Sequence, residues 1–248
     1  MPTISAVALP DHLDEHGLRD KVAVVIDVLR ATTTIAHALA SGATCVVPVA
    51  SIDGARMIAH DRPGSLLCGE RGGVKPEGFT LGNSPLEYTP ELIHARDIVL
   101  TTTNGTRALQ MCSGAAEIYT GSITNLSALC GLLRVQQRDI VLVCSGTDRM
   151  VSLEDCIAAG LIAQRLQTTH AADDSAMLMR HAAEGAIDRC GSLEAAIASS
   201  FHAKRLVDLG FSDDVRGAAC IGACSCVPHF DPATGEIRPA SLPNASHA

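Results

Sequence analysis

The feature that most constrains the fold of this chain is a regular alternation of short apolar runs with helical patterns. Runs rich in β-branched residues occur at 22–27, 45–50, 65–70, 97–103, 116–121 and 139–146. Helical patterns lie between several of them, at 32–42, 53–60, 105–112 and 124–137. Strands and helices in this order predict an α/β fold in which a mainly parallel sheet is covered by helices on both faces.

The C-terminal third of the chain is predicted to be helical, because helical patterns follow one another at 153–167, 175–190 and 192–210. The chain has 248 residues, which fits one large α/β domain. We therefore expect a single domain over residues 1–230, with a division into two sub-domains near residue 150 left open. The segment 231–248 is polar and rich in proline, and it is predicted to be a tail with one short element near 235–237.

The composition excludes several classes of partner. The formal net charge is −8, no long basic run occurs and aromatic residues are scarce, so nucleic-acid binding is not expected. No apolar run approaches the ~20 residues of a membrane span, and no basic region precedes the first apolar run as in a signal peptide. We expect a cytoplasmic protein whose ten cysteines are reduced thiols.

Three of these cysteines, Cys220, Cys224 and Cys226, lie close together in the sequence AACIGACSCVP. Their spacing contains no CxxC pair and no histidine at zinc-finger distance, although His229 lies near. We interpret the run as a buried strand in which the cysteines are structural.

Polar groups follow four of the predicted strands at the points where the strands end. Asp27 ends the first run, Glu70 the third, Thr101 to Thr103 the fourth, and Ser145 with Gly146 the sixth. The carboxyl ends of parallel strands meet at one edge of a sheet, where ligands of α/β proteins bind. Helices begin soon after two of these ends, so free backbone N–H groups are expected to point toward the same place.

The charged residues near these strand ends suit a phosphate ester and a divalent cation. Arg30, Arg71 and Arg107 lie within four residues of the acidic or threonine ends and can offset the charge of oxyanions. The acidic side chains can hold the cation, since Mg²⁺ prefers oxygen ligands.

A second acidic pair, Glu154 and Asp155, follows the last of these strand ends. Taken alone, the pair with Ser152 is typical of a capped helix N-terminus. Its place beside the other strand ends favours a second interpretation, in which Asp27, Glu70 and one or both of Glu154 and Asp155 bind one Mg²⁺.

The segment 69–90 interrupts the alternation. It contains five glycines and three prolines in 22 residues and no sustained apolar period. A loop of this length inside a compact domain is usually functional, and the alternative is a surface excursion.

Familiar phosphate chemistries lack their signatures here. Asp27 is not followed by the second aspartate of the DxD phosphatase pattern, and four residues separate Cys144 from Arg149 where the cysteine phosphatase loop needs five. Neither GxxxxGK[ST] nor GxGxxG after a strand is present. A covalent phosphoenzyme therefore has no obvious nucleophile, although Asp27 or Cys144 could act in an unfamiliar way, and direct in-line attack by a metal-bound water is favoured.

Five motifs follow in order along the chain, namely DVLRATTTI (27–35), GERGGVKPEGFTLGNSP (69–85), TTTNGTRAL (101–109), CSG (144–146) and EDCIAAG (154–160). Together they resemble the 2-phosphosulfolactate phosphatase family, the Mg²⁺-dependent ComB-type acid phosphatases. The resemblance implies a three-layer α/β/α fold with a mainly parallel or mixed sheet. It also implies hydrolysis of the phosphate ester on the 2-hydroxyl of a sulfonated or carboxylated acid, a step toward coenzyme M.

These observations lead to one set of predicted site residues. The catalytic residues are predicted to be Asp27, Glu70, Arg30 and Glu154. The phosphate cradle is predicted at Thr101, Thr102, Thr103, Asn104, Gly105 and Thr106, and further substrate-binding residues at Asn83, Ser84, Ser145 and Gly146. Arg71 is assigned to the acidic end of the substrate.

The expected partner is a small anionic phosphoester, with a homodimer as the default assembly. Two alternatives stay open at this point. One is the same fold and chemistry acting on another small phosphoester, and the other is a non-catalytic anion-binding protein. The carboxylates at the strand ends favour a metal-dependent enzyme over an anion-binding protein, because an anion receptor gains nothing from carboxylates that face its ligand without a metal.

Overall fold

A computed structural model of the chain describes residues 1–14 and 17–240. Within these ranges one mixed sheet contains β1 (Thr3–Val7), β2 (Val22–Ile26), β3 (Cys45–Val49), β4 (Leu66–Gly69), β5 (Asp97–Thr101), β6 (Glu117–Gly121), β7 (Ile140–Cys144), β8 (Ala171–Ala172), β9 (Pro228–Asp231) and β10 (Glu236–Pro239). The helices are α1 (Ala31–Ala40), α2 (Ile52–Asp61), α3 (Pro90–Ile93), α4 (Gly105–Met111), α5 (Leu126–Leu133), α6 (Leu153–Leu166), α7 (Asp174–Cys190), α8 (Leu193–Ala198), α9 (Phe201–Asp208) and α10 (Ser212–Ala218). The predicted α/β class, mixed sheet and helical C-terminal region are confirmed.

The strands lie in the order β4-β5-β3-β10-β9-β6-β2-β7-β1-β8. One group of parallel strands contains β4, β5 and β3, and the other contains β6, β2, β7, β1 and β8. The antiparallel pair β9 and β10 joins the two groups, because β10 runs antiparallel to β3 and β9 runs antiparallel to β6. Central strands such as β2 and β7 are buried along their whole length, which explains their continuous apolar sequences.

The two groups of strands share a hydrophobic core. One cluster contains Val25 of β2, Val143 of β7 and Leu100 of β5, together with Ile35 of α1 and Leu109 of α4. The helices α5 to α10 cover the opposite side of β1, β2 and β7, and α2 covers β3 and β5. The first turns of α1 and α4, which follow β2 and β5, thereby come together inside the fold.

The helical pattern at 192–210 divides into two helices, α8 and α9. The hydroxyl of Ser200 accepts a hydrogen bond of 3.1 Å from the backbone N–H of Ala203 and caps α9. Serine favours such a cap over a helix interior, so the pair Ser199-Ser200 ends one helix and starts the next. No helix in the described part of the chain is long and apolar enough to cross a membrane.

The segment after residue 231 returns into the sheet as β10, although its sequence predicts only a short element in a polar tail. Ile237 is completely buried and pairs with Val46 of β3. The predicted short element near 235–237 is therefore present, but a single apolar residue gives no periodic signal, so the sequence does not show that the element is a strand of the central sheet. The remaining part of the predicted tail, 241–248, lies outside the described residues.

The interpretation of the cysteine-rich run as a strand is wrong. The helix α10 ends at Ala218, and β9 begins only at Pro228. Gly222 adopts a φ of 78°, a left-handed turn conformation that interrupts an extended run. Cys220 is exposed, whereas Cys224 is buried.

Candidate active site

The first turns of α1 and α4 meet beside Asp27. A Cβ atom on Gly105 would lie 2.8 Å from the Cβ atom of Ala31 and 3.0 Å from Oδ2 of Asp27. A larger residue would push the two helices apart, because both distances are shorter than ordinary contacts of a Cβ atom. Glycine at this position therefore lets the segment after β5 approach the carboxylate that follows β2.

A cleft of about 490 Å³ opens next to this contact. The predicted site residues that line it are Asp27, Arg30, Glu70, Asn83, Thr102, Thr103 and Asn104. The lining residues that the sequence did not single out are Leu29, Gly72, Gly73, Thr147, Asp148, His202, Arg205 and Leu206.

Asp27 has one engaged and one open carboxylate oxygen. Its Oδ1 accepts a hydrogen bond of 3.3 Å from the backbone N–H of Ala31, the first residue of α1. Oδ2 is the oxygen that approaches Gly105. Burial raises the pKa of Asp27 to about 7, and the nearby carboxylates of Glu70 and Glu154 act in the same direction.

Glu70 connects the glycine-rich segment to the threonine-rich segment. Its Oε1 accepts hydrogen bonds of 2.9 Å from both the backbone N–H and the hydroxyl of Thr103. Its Oε2 accepts a hydrogen bond of 2.8 Å from the backbone N–H of Gly73. Since each carboxylate oxygen has two lone pairs, Oε2 keeps one acceptor site for a ligand in the cleft.

The second acidic pair does not line the cleft. Oδ1 of Asp155 accepts a hydrogen bond of 2.9 Å from the backbone N–H of Val28, and Oδ2 accepts one of 3.0 Å from the backbone N–H of Gly146. Glu154 is 1% exposed, and burial raises its pKa. Both acids are packed behind the turn that carries Asp27.

The predicted metal site of Asp27, Glu70, Glu154 and Asp155 is consequently not assembled as one group. In residues 1–14 and 17–240, no three His, Cys, Asp or Glu side chains lie close enough together to hold a metal ion. The reason is local, because backbone N–H groups occupy both oxygens of Asp155. Asp27 and Glu70 are the two members of the predicted set that reach the cleft.

Arg30 lies in the wall of the cleft with its guanidinium fixed by three contacts. Nη1 forms a buried ion pair of 2.7 Å with Asp214, and Nη2 donates a hydrogen bond of 2.6 Å to the carbonyl of Gly73. The guanidinium also lies 4.1 Å from the ring centre of Phe211. The hydroxyl of Ser84 donates to the other oxygen of Asp214 at 2.6 Å, so this predicted substrate-binding residue serves the same ion pair.

Asp214 is thus a structural residue of the site that the sequence did not reveal. It stands beside Asp213 in the first turn of α10. Acidic residues in that position are common because they complement the helix dipole, so nothing in the sequence marked the second one as buried.

Arg71 is directed away from the cleft. Nη1 donates a hydrogen bond of 2.6 Å to the carbonyl of Glu70, and Nη2 donates one of 2.7 Å to the hydroxyl of Thr101. The guanidinium therefore holds the backbone of Glu70 against the end of β5. Arg107 likewise forms an ion pair with Asp11.

Other predicted substrate-binding residues support the cleft from behind. The hydroxyl of Thr106 lies 3.2 Å from that of Thr102. Ser145 is buried, and its backbone N–H donates to the carbonyl of Ile26 at 2.8 Å. Gly146 adopts a φ of 68°, and its backbone N–H is the one that Asp155 holds.

Cys144 is a buried thiol that cannot act as a nucleophile in the cleft. It is completely buried at the end of β7 and does not line the cleft. A hydrogen bond with Cys156, followed by burial, holds the pKa of Cys144 well above its usual range. A thiolate is therefore not available at this position.

Two residues of α9, His202 and Arg205, enter the cleft from the helical C-terminal region. Their spacing is three residues, which places both side chains on one face of a helix. Such spacing is ordinary in any amphipathic helix, and only the packing of α9 against the cleft reveals it.

The comparison with known proteins agrees with the motifs. The profile of the 2-phosphosulpholactate phosphatase family matches residues 7–232. A relative from Thermotoga maritima named "Probable 2-phosphosulfolactate phosphatase" is 46% identical over 196 residues, which cover 79% of this chain and 82% of the relative.

Two further relatives carry the same name. The protein from Carboxydothermus hydrogenoformans is 43% identical over 211 residues, covering 84% of this chain and 86% of the relative. The protein from Clostridium perfringens strain 13 is 34% identical over 241 residues, covering 95% of each. The chain therefore belongs to the 2-phosphosulpholactate phosphatase family, a family of phosphoric monoester hydrolases.

Proposed function

We propose that this chain hydrolyses the phosphate ester of a small anionic 2-phospho acid in the presence of Mg²⁺, with 2-phosphosulfolactate as the first candidate substrate. The observation that carries the proposal is the meeting of Asp27 and Glu70 with the segment 102–104 in one cleft. Carboxylates there face backbone and hydroxyl groups suited to phosphate oxygens. The names of the family and of the relatives supply the candidate substrate.

The charges in the cleft favour a bound cation. Its lining contains three carboxylates, Asp27, Glu70 and Asp148, and two guanidinium groups, Arg30 and Arg205. Each guanidinium already forms an ion pair with a carboxylate. An ester with several negative charges would be repelled by Asp27 and Glu70 unless a cation lay between them.

The residues present fit Mg²⁺. Mg²⁺ is usually held by one or two carboxylates, several waters and substrate phosphate oxygens, so a cluster of three or four acids is not required. Oδ2 of Asp27 and the remaining acceptor site on Oε2 of Glu70 would hold it. When bound, the cation would neutralise charge on the phosphate and lower the pKa of a coordinated water.

The rest of the cleft would bind and orient the phosphate group. Thr102, Thr103 and Asn104 line it at the point where Gly105 permits close approach of the backbone. The hydroxyl and backbone N–H groups of this segment are neutral donors for phosphate oxygens. Arg30, fixed by Asp214 and Gly73, would supply a preorganised positive charge for the developing negative charge of the reaction.

Direct attack by water is the mechanism that this arrangement favours. The thiol of Cys144 is buried and protonated, and Glu70 is already held by Thr103 and Gly73. Single in-line displacement inverts the configuration at phosphorus. Hydrolysis of an ester made chiral with oxygen isotopes would show inversion, whereas net retention would indicate a covalent intermediate on Asp27.

The proposal is tested by measuring phosphate release from a panel of 2-phospho acids, including 2-phosphosulfolactate and 2-phospholactate, with Mg²⁺ and with excess EDTA. We expect turnover with Mg²⁺ and loss of turnover with EDTA. Equal rates in EDTA would refute the role of the cation. Saturable binding of these esters without phosphate release would instead identify a non-catalytic anion-binding protein.

A further inference from the structure

The helix α9 lines the cleft with a cationic side chain that the proposed hydrolysis does not use. His202, Arg205 and Leu206 reach the cleft from this helix, while Asp27, Glu70 and the segment 102–104 line it from the strand ends. A substrate whose phosphate is held by the second set would extend toward the first.

Arg205 is held in the cleft by one ion pair. Its Nη1 lies 2.8 Å from Oδ2 of Asp148, and the side chain of Arg205 is 40% exposed. Among the described residues, Asp148 is bound by Nη1 alone. The other N–H donors of the guanidinium are free to bind a carboxylate or a sulfonate of the substrate.

Asp148 is presented to Arg205 by a tight turn after β7. Asp148 and Arg149 both adopt left-handed backbone conformations, with φ of 50° and 62°. Reciprocal backbone hydrogen bonds of 2.9 and 2.8 Å between Thr147 and Met150 close the turn. Two non-glycine residues in this conformation are costly, so the surrounding structure fixes the position of Asp148 and through it that of Arg205.

His202 supplies an unused polar atom near Arg205. Its Nδ1 is buried and has no hydrogen-bond partner among the described residues. Burial lowers the pKa of His202 and the positive charges of Arg205 and Arg30 act in the same direction, whereas a hydrogen bond of the ring with the backbone of Leu29 and the charge of Glu70 act against them. A buried nitrogen atom without a partner is expected to be satisfied by a ligand or by water.

We propose that Arg205, together with His202, binds the acidic group of the substrate, meaning its carboxylate or its sulfonate, while the phosphate lies at Asp27 and Glu70. This assignment rests on the proposed function. It replaces Arg71, whose guanidinium is occupied by Glu70 and Thr101, as the residue for the acidic end.

The experiment compares esters that differ only in the acidic group. We would measure kcat/KM with Mg²⁺ for 2-phospholactate, which carries a carboxylate, for the phosphate ester of 2-hydroxypropane-1-sulfonate, which carries a sulfonate, and for isopropyl phosphate, which carries neither. The wild-type protein is expected to prefer one or both acidic esters. In Arg205→Gln the ratio of kcat/KM for the preferred acidic ester to that for isopropyl phosphate is expected to fall by about ten- to a hundredfold.

Two control variants separate substrate binding from a structural role. Lys204→Gln removes the same charge from the exposed neighbour on α9 and is expected to leave the ratio unchanged. Asp148→Asn removes the ion pair while keeping the guanidinium of Arg205 in a less fixed position, and it is expected to lower the ratio less than Arg205→Gln does. An equal loss of the ratio in Asp148→Asn and Arg205→Gln would show that the ion pair acts structurally, and it would overturn the assignment.

A binding measurement keeps the assignment testable if none of the esters is hydrolysed. In calorimetric titration, the affinity of Arg205→Gln for sulfolactate is expected to be at least about tenfold lower than that of the wild-type protein. Titration with inorganic phosphate is expected to give similar affinities for both. Equal affinity of the two proteins for sulfolactate would refute the role of Arg205, whereas absence of hydrolysis alone would refute the proposed function.

Discussion

Two buried aspartates, Asp27 and Asp155, contact the peptide unit between residues 27 and 28. They differ in the hydrogen bonds that their carboxylate oxygens accept. Asp27 precedes this unit and is 6% exposed, while Asp155 accepts a hydrogen bond from the N–H of Val28 and is 2% exposed. Oδ2 of Asp27 lies beside Gly105 and accepts no hydrogen bond from the described residues, whereas both oxygens of Asp155 are held by backbone N–H groups.

The difference shows that burial near a strand end does not by itself make an acid a ligand. A carboxylate that accepts backbone N–H groups on both oxygens, as Asp155 does, links the segments that follow two neighbouring strands, β2 and β7. A carboxylate that keeps one open oxygen toward solvent can bind a cation or substrate. Asp155 therefore fixes the backbone that follows β2, and Asp27 on this backbone carries the oxygen that is free to bind a ligand.

The largest expected effect is on activity in Asp27→Asn. The substitution keeps the shape of the side chain and removes the charge of the open oxygen. We expect the rate of Mg²⁺-dependent phosphate release to fall by at least about 10²–10³-fold, with the circular dichroism spectrum unchanged.

A matched control for Asp27→Asn is Asp53→Asn. Asp53 lies in the first turn of α2 with a side chain that is 93% exposed. It is expected to retain full activity. Activity of Asp27→Asn within a few-fold of the wild-type value would show that Asp27 does not take part in the reaction. The functional difference between Asp27 and Asp155 would then be refuted.

The next effect is on stability in Asp155→Asn. The amide nitrogen of asparagine would face the backbone N–H of either Val28 or Gly146, because one oxygen acceptor is lost. Leaving a buried donor unsatisfied and losing a hydrogen bond is expected to lower the free energy of unfolding by about 2–4 kcal/mol. Urea denaturation measures this change, and a loss below about 0.5 kcal/mol, typical of surface substitutions, would contradict the structural role of Asp155.

A third prediction concerns the pH dependence of stability without metal. Because burial raises the pKa of Asp27 from 3.8 to about 7, the folded protein holds a proton there that the unfolded chain releases at lower pH. The stability that this proton contributes is present below about pH 4 and is lost as the pH rises through about 7. Asp27→Asn lacks this loss.

In EDTA, the free energy of unfolding of Asp27→Asn relative to the wild-type protein is expected to increase by on the order of 2 kcal/mol between pH 5 and pH 8. Other buried acids such as Glu154 titrate in both proteins, so the difference between the two curves reports the titration of Asp27 together with its electrostatic effect on these neighbours. A difference that does not change with pH would show that Asp27 has an ordinary pKa. The variant with the lowest activity is therefore expected to be more stable than the wild-type protein at pH 8.

The sequence is sufficient to predict the alternation of β2 to β7 with helices, because these strands are largely apolar and glycines and polar residues mark their ends. It also identifies Asp27 and Glu70, which directly follow such strands. The sequence predicts a short element near 235–237 but not its place in the sheet as β10, since Ile237 is the one buried residue of this strand and gives no period.

The sequence also does not show which carboxylate oxygens bind backbone N–H groups and which are free to bind a ligand. Glu154 and Asp155 follow a strand end as Asp27 does, and only the three-dimensional positions of the N–H groups of Val28 and Gly146 distinguish them. Arg205 and His202 are contributed by a helix more than ninety residues beyond Thr103, so no local motif connects them to the cleft.

Glu70 has one carboxylate oxygen bound like those of Asp155 and one partly free like that of Asp27. A substitution at its partner Thr103 is expected to have the smallest effect of those predicted here. Oε1 of Glu70 is fully used by the backbone N–H and hydroxyl of Thr103, while Oε2 keeps an open site beside the hydrogen bond from Gly73. Thr103→Val removes the hydroxyl donor with little change of shape, and Thr103→Ser retains it. Since one hydrogen bond to a carboxylate would be lost while the backbone bond persists, we expect kcat/KM to fall by about two- to tenfold in Thr103→Val and to stay near the wild-type value in Thr103→Ser. If Thr103→Val keeps the activity of the wild-type protein, the hydroxyl of Thr103 is dispensable, and Glu70 is oriented by its backbone hydrogen bonds alone, as Asp155 is.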